Sequence, residues 1–252
     1  MGPAPDDPKM LDKIIEAGVD VVRINFSHGT AQEHLDRVER LRNRARAHGR
    51  QVGVLADLQG PKIRVERFKN GKVLLEEGKP FILDAKLGVD DGDETRVGLS
   101  YKTLPDDVKR GDTLLLDDGR ILSNRKGINR QGGGLTAPAL TDKDREDIKT
   151  AAKMQADYVA LSFPRSAADV NETRDLLRAA GGYGAIVAKI ERAEALPVIE
   201  EIIAASDVIM IARGDLGVEI GDAALPPVQK HLIQLARKMN RVVITATQMM
   251  ES

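Results

Sequence analysis

Residues 185–215 read AIVAKIERAEALPVIEEIIAASDVIMIARGD, and this stretch decides the fold. Two short apolar runs, Ala185–Ile190 and Val208–Ala212, enclose a helical composition at 193–205. Near-continuous apolar runs of this length suit strands of a parallel sheet covered on both faces. Each run ends in charge, with Lys189 and Glu191 on the first and Arg213 and Asp215 past the second. Lys189 and Glu191 stand two apart, so on a strand they point to the same side. An ion pair with no further role is the ordinary reading of such neighbours. Asp215 changes the weight by adding a carboxylate from the next strand. Its neighbours Gly214 and Gly217 let backbone amides approach a ligand. Hard oxygen donors without His or Cys favour Mg²⁺ or Mn²⁺ over Zn²⁺.

The same alternation extends outward in both directions. Residues 19–26 read as a strand, 31–48 as a helix ending at Gly49, and 52–58 as a second strand. Thr141 with Asp144 three residues on reads as a capping box opening a helix to about 155. A strand at 158–163, a helix at 166–180, a helix at 227–240 and a strand at 242–247 complete the series. Six such strands fit either an open doubly wound sheet or a closed (β/α) barrel. Arg23, Asn25, Asp57, Ser162, Lys189, Glu191, Arg213, Asp215 and Thr247 all fall at or beyond C-terminal strand ends. Polar groups converging from so many strands favour the mouth of a (β/α)8, TIM-type barrel over a single crevice.

Between residues 65 and 130 the pattern changes to short β-like runs at 72–75, 81–85, 95–99 and 113–116, separated by turns such as Asp90-Asp91-Gly92-Asp93 and Asp117-Asp118-Gly119. This predicts a small all-β insertion, after which Gly132-Gly133-Gly134 leads back to the main body. The expected organisation is barrel at 1–64, insertion at 65–130 and barrel again at 131–252.

Composition narrows the partners. With 38 basic and 39 acidic residues, bulk charge gives no reason to expect nucleic acid or an anionic membrane. Cysteine is absent, which excludes disulfides and thiolate metal sites and fits a reducing compartment. No secretory pattern opens the chain, and no stretch nears the ~20 apolar residues of a membrane helix. A cytoplasmic location is expected.

Arg23, Asn25 and Ser27 share one side of a strand end, where an arginine suits a phosphate. His28 beside them could contact a ligand, but a capping or solvent-facing histidine is the commoner outcome. Asp57-Leu58-Gln59-Gly60-Pro61-Lys62-Ile63-Arg64 adds a second basic cluster. Residues 123–127, SNRKG, resemble a phosphate-binding loop in composition but lack the Walker spacing. The alternating charges of 31–48 read as a solvated face.

The stretches VDVVRINFSHGT, DLQGPKIR, LLLDDGRI, GGGLTAPALTDKDREDIKTA, VALSFPRS, IVAKIERAEA, IARGDLGVEIG and VVITATQMMES, in this order, resemble the pyruvate kinases, particularly bacterial ones. The resemblance implies a (β/α)8 barrel with an inserted β domain closing over the active site. It implies magnesium-dependent phosphoryl transfer from phosphoenolpyruvate to ADP, giving pyruvate and ATP. By that likeness Glu191 and Asp215 hold the metal, Lys189 stabilises the phosphoryl group and Arg23 contacts it. The Gly214 backbone and Asp215 serve substrate binding, and Thr247 lies near the carbon that gains a proton. Asn25, His28, Arg64 and Lys126 fall on the nucleotide side. Asn25, Ser27, Asp57 and the Leu58 carbonyl match the family's K⁺ site. Lys62 stands where K⁺-dependent members carry Glu, so activity without K⁺ is expected.

The resemblance also implies that the six strands correspond to the second through seventh of the barrel. By the same likeness these residues are expected to stop short of the family's first and eighth strands and C-terminal allosteric domain, with a shortened insertion. The family's homotetramer depends partly on those segments. Two other readings stand beside the kinase: a non-catalytic or misfolding-prone fragment, and a metal-dependent aldolase of the phosphoenolpyruvate/pyruvate group.

Overall fold

The computed structural model describes residues 7–116 and 121–246. Gly2-Pro3-Ala4, the Asp117-Asp118-Gly119 turn and Thr247 lie outside those residues. The chain forms two compact units: residues 1–61, 139–214 and 226–252, and residues 62–138 with 215–225.

Along the chain the elements begin with helix α1 (Pro8–Glu16), strand β1 (Val21–Asn25), helix α2 (Ala31–Ala47) and strand β2 (Gly53–Asp57). The second unit contributes β3 (Lys72–Leu74), β4 (Ile82–Asp84), β5 (Arg96–Gly98), α3 (Leu104–Asp107), β6 (Leu114–Leu116), β7 (Ile121–Ser123) and β8 (Ile128–Arg130). Then follow α4 (Asp142–Lys153), β9 (Tyr158–Leu161), α5 (Ala167–Ala179), β10 (Ala185–Ile190), a 3₁₀ segment at Ala193–Val198, and α6 (Ile199–Ala205). The chain closes with β11 (Val208–Ala212), α7 (Arg213–Ile220), α8 (Leu225–Lys238) and β12 (Val242–Ala246).

The first unit carries one six-stranded sheet in the order β1-β2-β9-β10-β11-β12, every pair parallel. The order follows the chain without reversal. A doubly wound sheet reverses direction at its switch point, so the strand order selects the barrel-type arrangement, open here between β1 and β12 among the described residues. Leu55, Ala160, Val187 and Val208 form an apolar cluster on one face of the sheet. Asp57, Ser162 and Lys189 follow two residues after Leu55, Ala160 and Val187, so period-2 geometry sets them on that same face, nearer the strand ends.

The helices begin where their sequences direct. Thr30 and Glu33, Thr141 and Asp144, and Ser166 and Asp169 form reciprocal capping boxes that satisfy orphan N–H groups. Several elements differ from expectation. The helix over 193–205 divides, with 3₁₀ geometry to Val198 and α geometry from Ile199. Pro197 has no N–H to give, which accounts for the tighter first part. Residues 213–220, for which the sequence reading gave no helix, form α7; its Leu216 is fully buried, and such burial outweighs the low helix propensity of Gly214 and Gly217. Helix α1 also lay outside the sequence reading; Asp7 caps it by accepting the Lys9 N–H at 3.1 Å.

The second unit is built from three two-stranded ladders, β3 with β7 and β6 with β8 antiparallel, and β4 with β5 parallel. Ile63, Val65, Phe68, Val97, Leu99, Leu104, Leu122 and Ile128 form its core together with Leu135 and Ala137. Because Ile63, Leu135 and Ala137 pack there, the compact unit runs over 62–138, beyond the 65–130 read from the sequence. Gly132, Gly133 and Gly134 all adopt positive φ, a run that residues with a Cβ rarely adopt.

Candidate active site at the strand ends

Three strands, β1, β2 and β10, bring a chain of alternating charge together. The Arg23 side chain rises from β1 and bonds Asp57 at the end of β2, Nε to Oδ2 at 2.6 Å and Nη2 to Oδ2 at 2.5 Å. Asp57 Oδ1 lies 3.2 Å from Lys189 Nζ on β10, and Lys189 Nζ lies 3.0 Å from Glu191 Oε1. Asp57 and Glu191 are 4% and 2% exposed and Lys189 13%, whereas Arg23 is 56% exposed. Arg23 is therefore the cation of this set that meets solvent.

Lys189 makes a third contact, donating to Ser162 Oγ at 2.8 Å. Ser162 sits one residue beyond β9 and donates its own hydrogen to the Leu58 carbonyl at 2.8 Å. Of its three hydrogens the ammonium gives one to Ser162 in a hydrogen bond, while Asp57 and Glu191 are its ion-pair partners. The next residue, Phe163, donates its backbone N–H to Glu191 Oε2 at 2.9 Å. Phe163 does so at φ 58°, a left-handed conformation that costs a bulky residue roughly 1–2 kcal/mol. Its ring is covered by the Arg192 guanidinium at 5.3 Å.

Gly60 completes the support. Its φ is +65°, and a Cβ there would stand 2.8 Å from the Ser162 Cβ. Its N–H is donated to Asp144 Oδ1 at 3.0 Å, while Asp144 Oδ2 accepts from Thr141 Oγ1 at 2.6 Å. Asp144 is thus a helix cap and the anchor of the loop after β2. The Thr141-x-x-Asp144 spacing announced the cap, but no sequence signal disclosed the second role.

The electrostatics follow from burial and countercharge. Burial pulls the Lys189 ammonium down, but Glu191 and then Asp57 more than offset it, so its pKa stands above the ordinary lysine value. The group is a permanent buried cation at neutral pH.

The remaining candidates divide between the units. In the first, Asn25 Oδ1 accepts the Ser27 N–H at 3.0 Å, an Asx-type turn, and His28 is exposed. Asp57, read as a K⁺ ligand, here receives Arg23 and Lys189, and the Leu58 carbonyl receives Ser162. In the second unit, Lys62 Nζ lies 4.0 Å from Asp215 Oδ1. Arg64 Nη1 donates to the Arg125 carbonyl at 2.7 Å, Arg125 pairs with Glu66 at 2.9 Å, and Asn124 Oδ1 accepts the Phe68 N–H at 2.8 Å. The 123–127 loop therefore uses its polar side chains to hold its own fold. The Lys126 carbonyl accepts from the Val65 N–H at 2.9 Å.

Among the described residues no cluster of three or more His, Cys, Asp or Glu side chains is placed to hold a metal. No helix among them is long and apolar enough to cross a membrane.

A parallel sheet in sequential order, with buried opposite charges at the C-terminal strand ends, defines a barrel-type α/β protein. Residues 1–123 and 120–252 match the family model for the pyruvate kinase barrel domain, and the chain belongs to that family. Pyruvate kinase of Haemophilus influenzae is 55% identical over the whole chain, which spans 58% of that relative. Pyruvate kinase II of Salmonella typhimurium is 54% identical over the whole chain and 58% of its own length. Pyruvate kinase of Mycobacterium tuberculosis is 41% identical, with 57% of its length covered.

Proposed function

We propose that this chain carries the phosphoenolpyruvate-handling centre of a pyruvate kinase. The observation that supports this most directly is the buried ammonium of Lys189 held between Asp57 and Glu191 at 3.2 and 3.0 Å. In phosphoryl transfer the developing charge sits on the oxygens of the moving group, and fixed cations that face it lower the barrier. Lys189 and Arg23 supply those cations. The bond from phosphorus to the enol oxygen breaks, a bond to a terminal oxygen of ADP forms, and the enolate left behind takes a proton on carbon to become pyruvate. Thr247 serves that proton delivery, directly or through water.

Glu191 and Asp215 present hard carboxylate oxygens, the donor chemistry that suits Mg²⁺ or Mn²⁺. One Glu191 oxygen pairs with Lys189 and the other accepts the Phe163 N–H, and each retains a lone pair for a cation. When bound, the metal neutralises charge on the substrate oxygens. The Gly214 backbone and Asp215 orient the substrate carboxylate end, and Asn25, His28, Arg64 and Lys126 face the nucleotide. Asn25, Ser27, Asp57 and Leu58 form the K⁺ position, with Lys62 furnishing a built-in positive charge that makes K⁺ dispensable.

A lactate-dehydrogenase-coupled assay tests the reading. Turnover that requires both ADP and divalent metal, and that falls by at least a hundredfold in Lys189→Met, is expected, on the order of losing one fixed transition-state charge. Consumption of phosphoenolpyruvate without ADP would point to aldolase-type chemistry, and a folded chain without turnover would mark a non-catalytic fragment.

A further inference from the structure

We infer that Ser162 is a positioning residue for Lys189, holding one ammonium hydrogen until an anionic oxygen displaces it. The geometry sets its polarity. Because Ser162 Oγ gives its only hydrogen to the Leu58 carbonyl at 2.8 Å, it meets Lys189 Nζ at 2.8 Å through a lone pair. Ser162 is 1% exposed, and Gly60 packs against it so closely that a Cβ at that glycine would stand 2.8 Å away. The hydroxyl therefore cannot turn to water for another donor. Buried hydrogen-bond donors need acceptors, and without Ser162 the ammonium has only the two carboxylates.

The three partners are not equivalent. Asp57 and Glu191 hold the ammonium as ion-pair partners at 3.2 and 3.0 Å, where opposite charges attract strongly in a buried setting. Ser162 is the uncharged partner and the one an incoming anionic oxygen most readily replaces. A separate acceptor keeps one N–H from collapsing onto the carboxylates. Removing the hydroxyl lets the ammonium settle between Asp57 and Glu191, which weakens its hold on the transition state more than substrate binding. Phe163, the adjacent residue, fixes Glu191 Oε2 in the same way, so a single two-residue segment after β9 orients both groups of the pair.

The kinetic consequence rests on the proposed function, whereas the hydrogen-bond consequence does not. The test therefore has two arms on the full chain labelled with ¹⁵N-lysine. In the first, the Lys189 ammonium resonance, assigned by its disappearance in Lys189→Met, is compared in wild type, Ser162→Ala and Ser206→Ala. Ser206 is the control because it too is 1% exposed and donates to a carbonyl, that of Ile202 at 2.6 Å. The inference expects the Lys189 ammonium hydrogens to exchange about tenfold faster in Ser162→Ala and to keep the wild-type rate in Ser206→Ala, in line with the loss of one hydrogen bond to a charged group. An unchanged exchange rate in Ser162→Ala, or an equal change in Ser206→Ala, overturns it. If Ser162→Ala melts, Ser162→Cys, a weaker acceptor of similar size, is read by the same criteria. In the second arm, kcat is expected to fall about tenfold with KM for phosphoenolpyruvate within about twofold; a rise in KM at constant kcat overturns the assignment. Absence of turnover in the wild type, with the change in exchange rate intact, would count against the proposed function and leave the positioning role supported.

Discussion

Lys189 Nζ lies 3.2 Å from Asp57 Oδ1 although their strands, β10 and β2, are not neighbours in the sheet. Strand β9 runs between them, and the ammonium passes over it by way of Ser162. The contact is possible because the three side chains share one face of the sheet.

Asp57→Asn tests this contact. Removing one carboxylate leaves Arg23 and Lys189 under-compensated, and a loss of about 2 kcal/mol at pH 7 is expected, less than for a wholly unpaired buried charge because Glu191 remains. The sign with pH follows from linkage. Lys189 holds its proton more tightly folded than unfolded, so its contribution is complete below about pH 10.5 and declines as pH rises through the folded value. The gap in melting temperature between wild type and Asp57→Asn is therefore expected to narrow above pH 10.5, as followed by circular dichroism.

Gly60→Ala is expected to destabilise the chain by roughly 2–3 kcal/mol. The substitution combines a positive φ with a Cβ 2.8 Å from the Ser162 Cβ, and the backbone on both sides is tied down. Urea unfolding measures the loss. Ala at Gly49, also at positive φ but with nothing within 4 Å, is expected to cost only about 1 kcal/mol.

Asp144→Ala removes both a cap and the acceptor for the Gly60 N–H, whereas Thr141→Ala removes the cap alone. The expected losses are about 2–3 and about 1 kcal/mol respectively. Equal losses would show that the Gly60 contact contributes nothing.

His34 gives the chain an acid sensitivity. It is 2% exposed, with its ring 4.5 Å from that of Phe26, and burial, with Arg37 and Lys143 nearby, holds its pKa below the usual value. Below about pH 6.5 the unfolded chain takes a proton that the folded chain refuses, so stability is whole above that pH and falls as pH drops. The expected slope is at most about 1.4 kcal/mol per pH unit. His34→Leu is expected to flatten melting temperature between pH 6.5 and 5.5.

Lys62 predicts the ion requirement. Turnover is expected to persist in buffer free of K⁺ and Na⁺, and Lys62→Glu is expected to make it depend on K⁺. Loss of wild-type turnover in that buffer would count against a built-in cation.

Much of the molecule was legible before its structure. Strand β10 was read at its full extent because residues 185–188 and Ile190 are apolar, broken only by Lys189, and Glu191 and Arg192 follow immediately. The capping box at Thr141 was read because its chemistry is local, four residues with reciprocal bonds. Helix α7 was not legible, since Gly214 and Gly217 argue for a turn and only the burial of Leu216 reverses that. Strands β7 and β8 escaped because three-residue strands carry almost no period; their partners β3 and β6 define them.

The candidate site divides in the same way. By itself the sequence determined the barrel-type alternation, the family, and the placing of Lys189 and Glu191 on one side of one strand. Those properties depend on residue type and on spacings of two to four residues. Tertiary structure alone decided that Asp57 pairs with Lys189 and Arg23, that Ser162 receives one ammonium hydrogen, and that Phe163 accepts a left-handed backbone to bond Glu191. Those contacts join residues far apart in the chain, and their distances are set by strand register and by the close approach of Gly60, which no local pattern encodes.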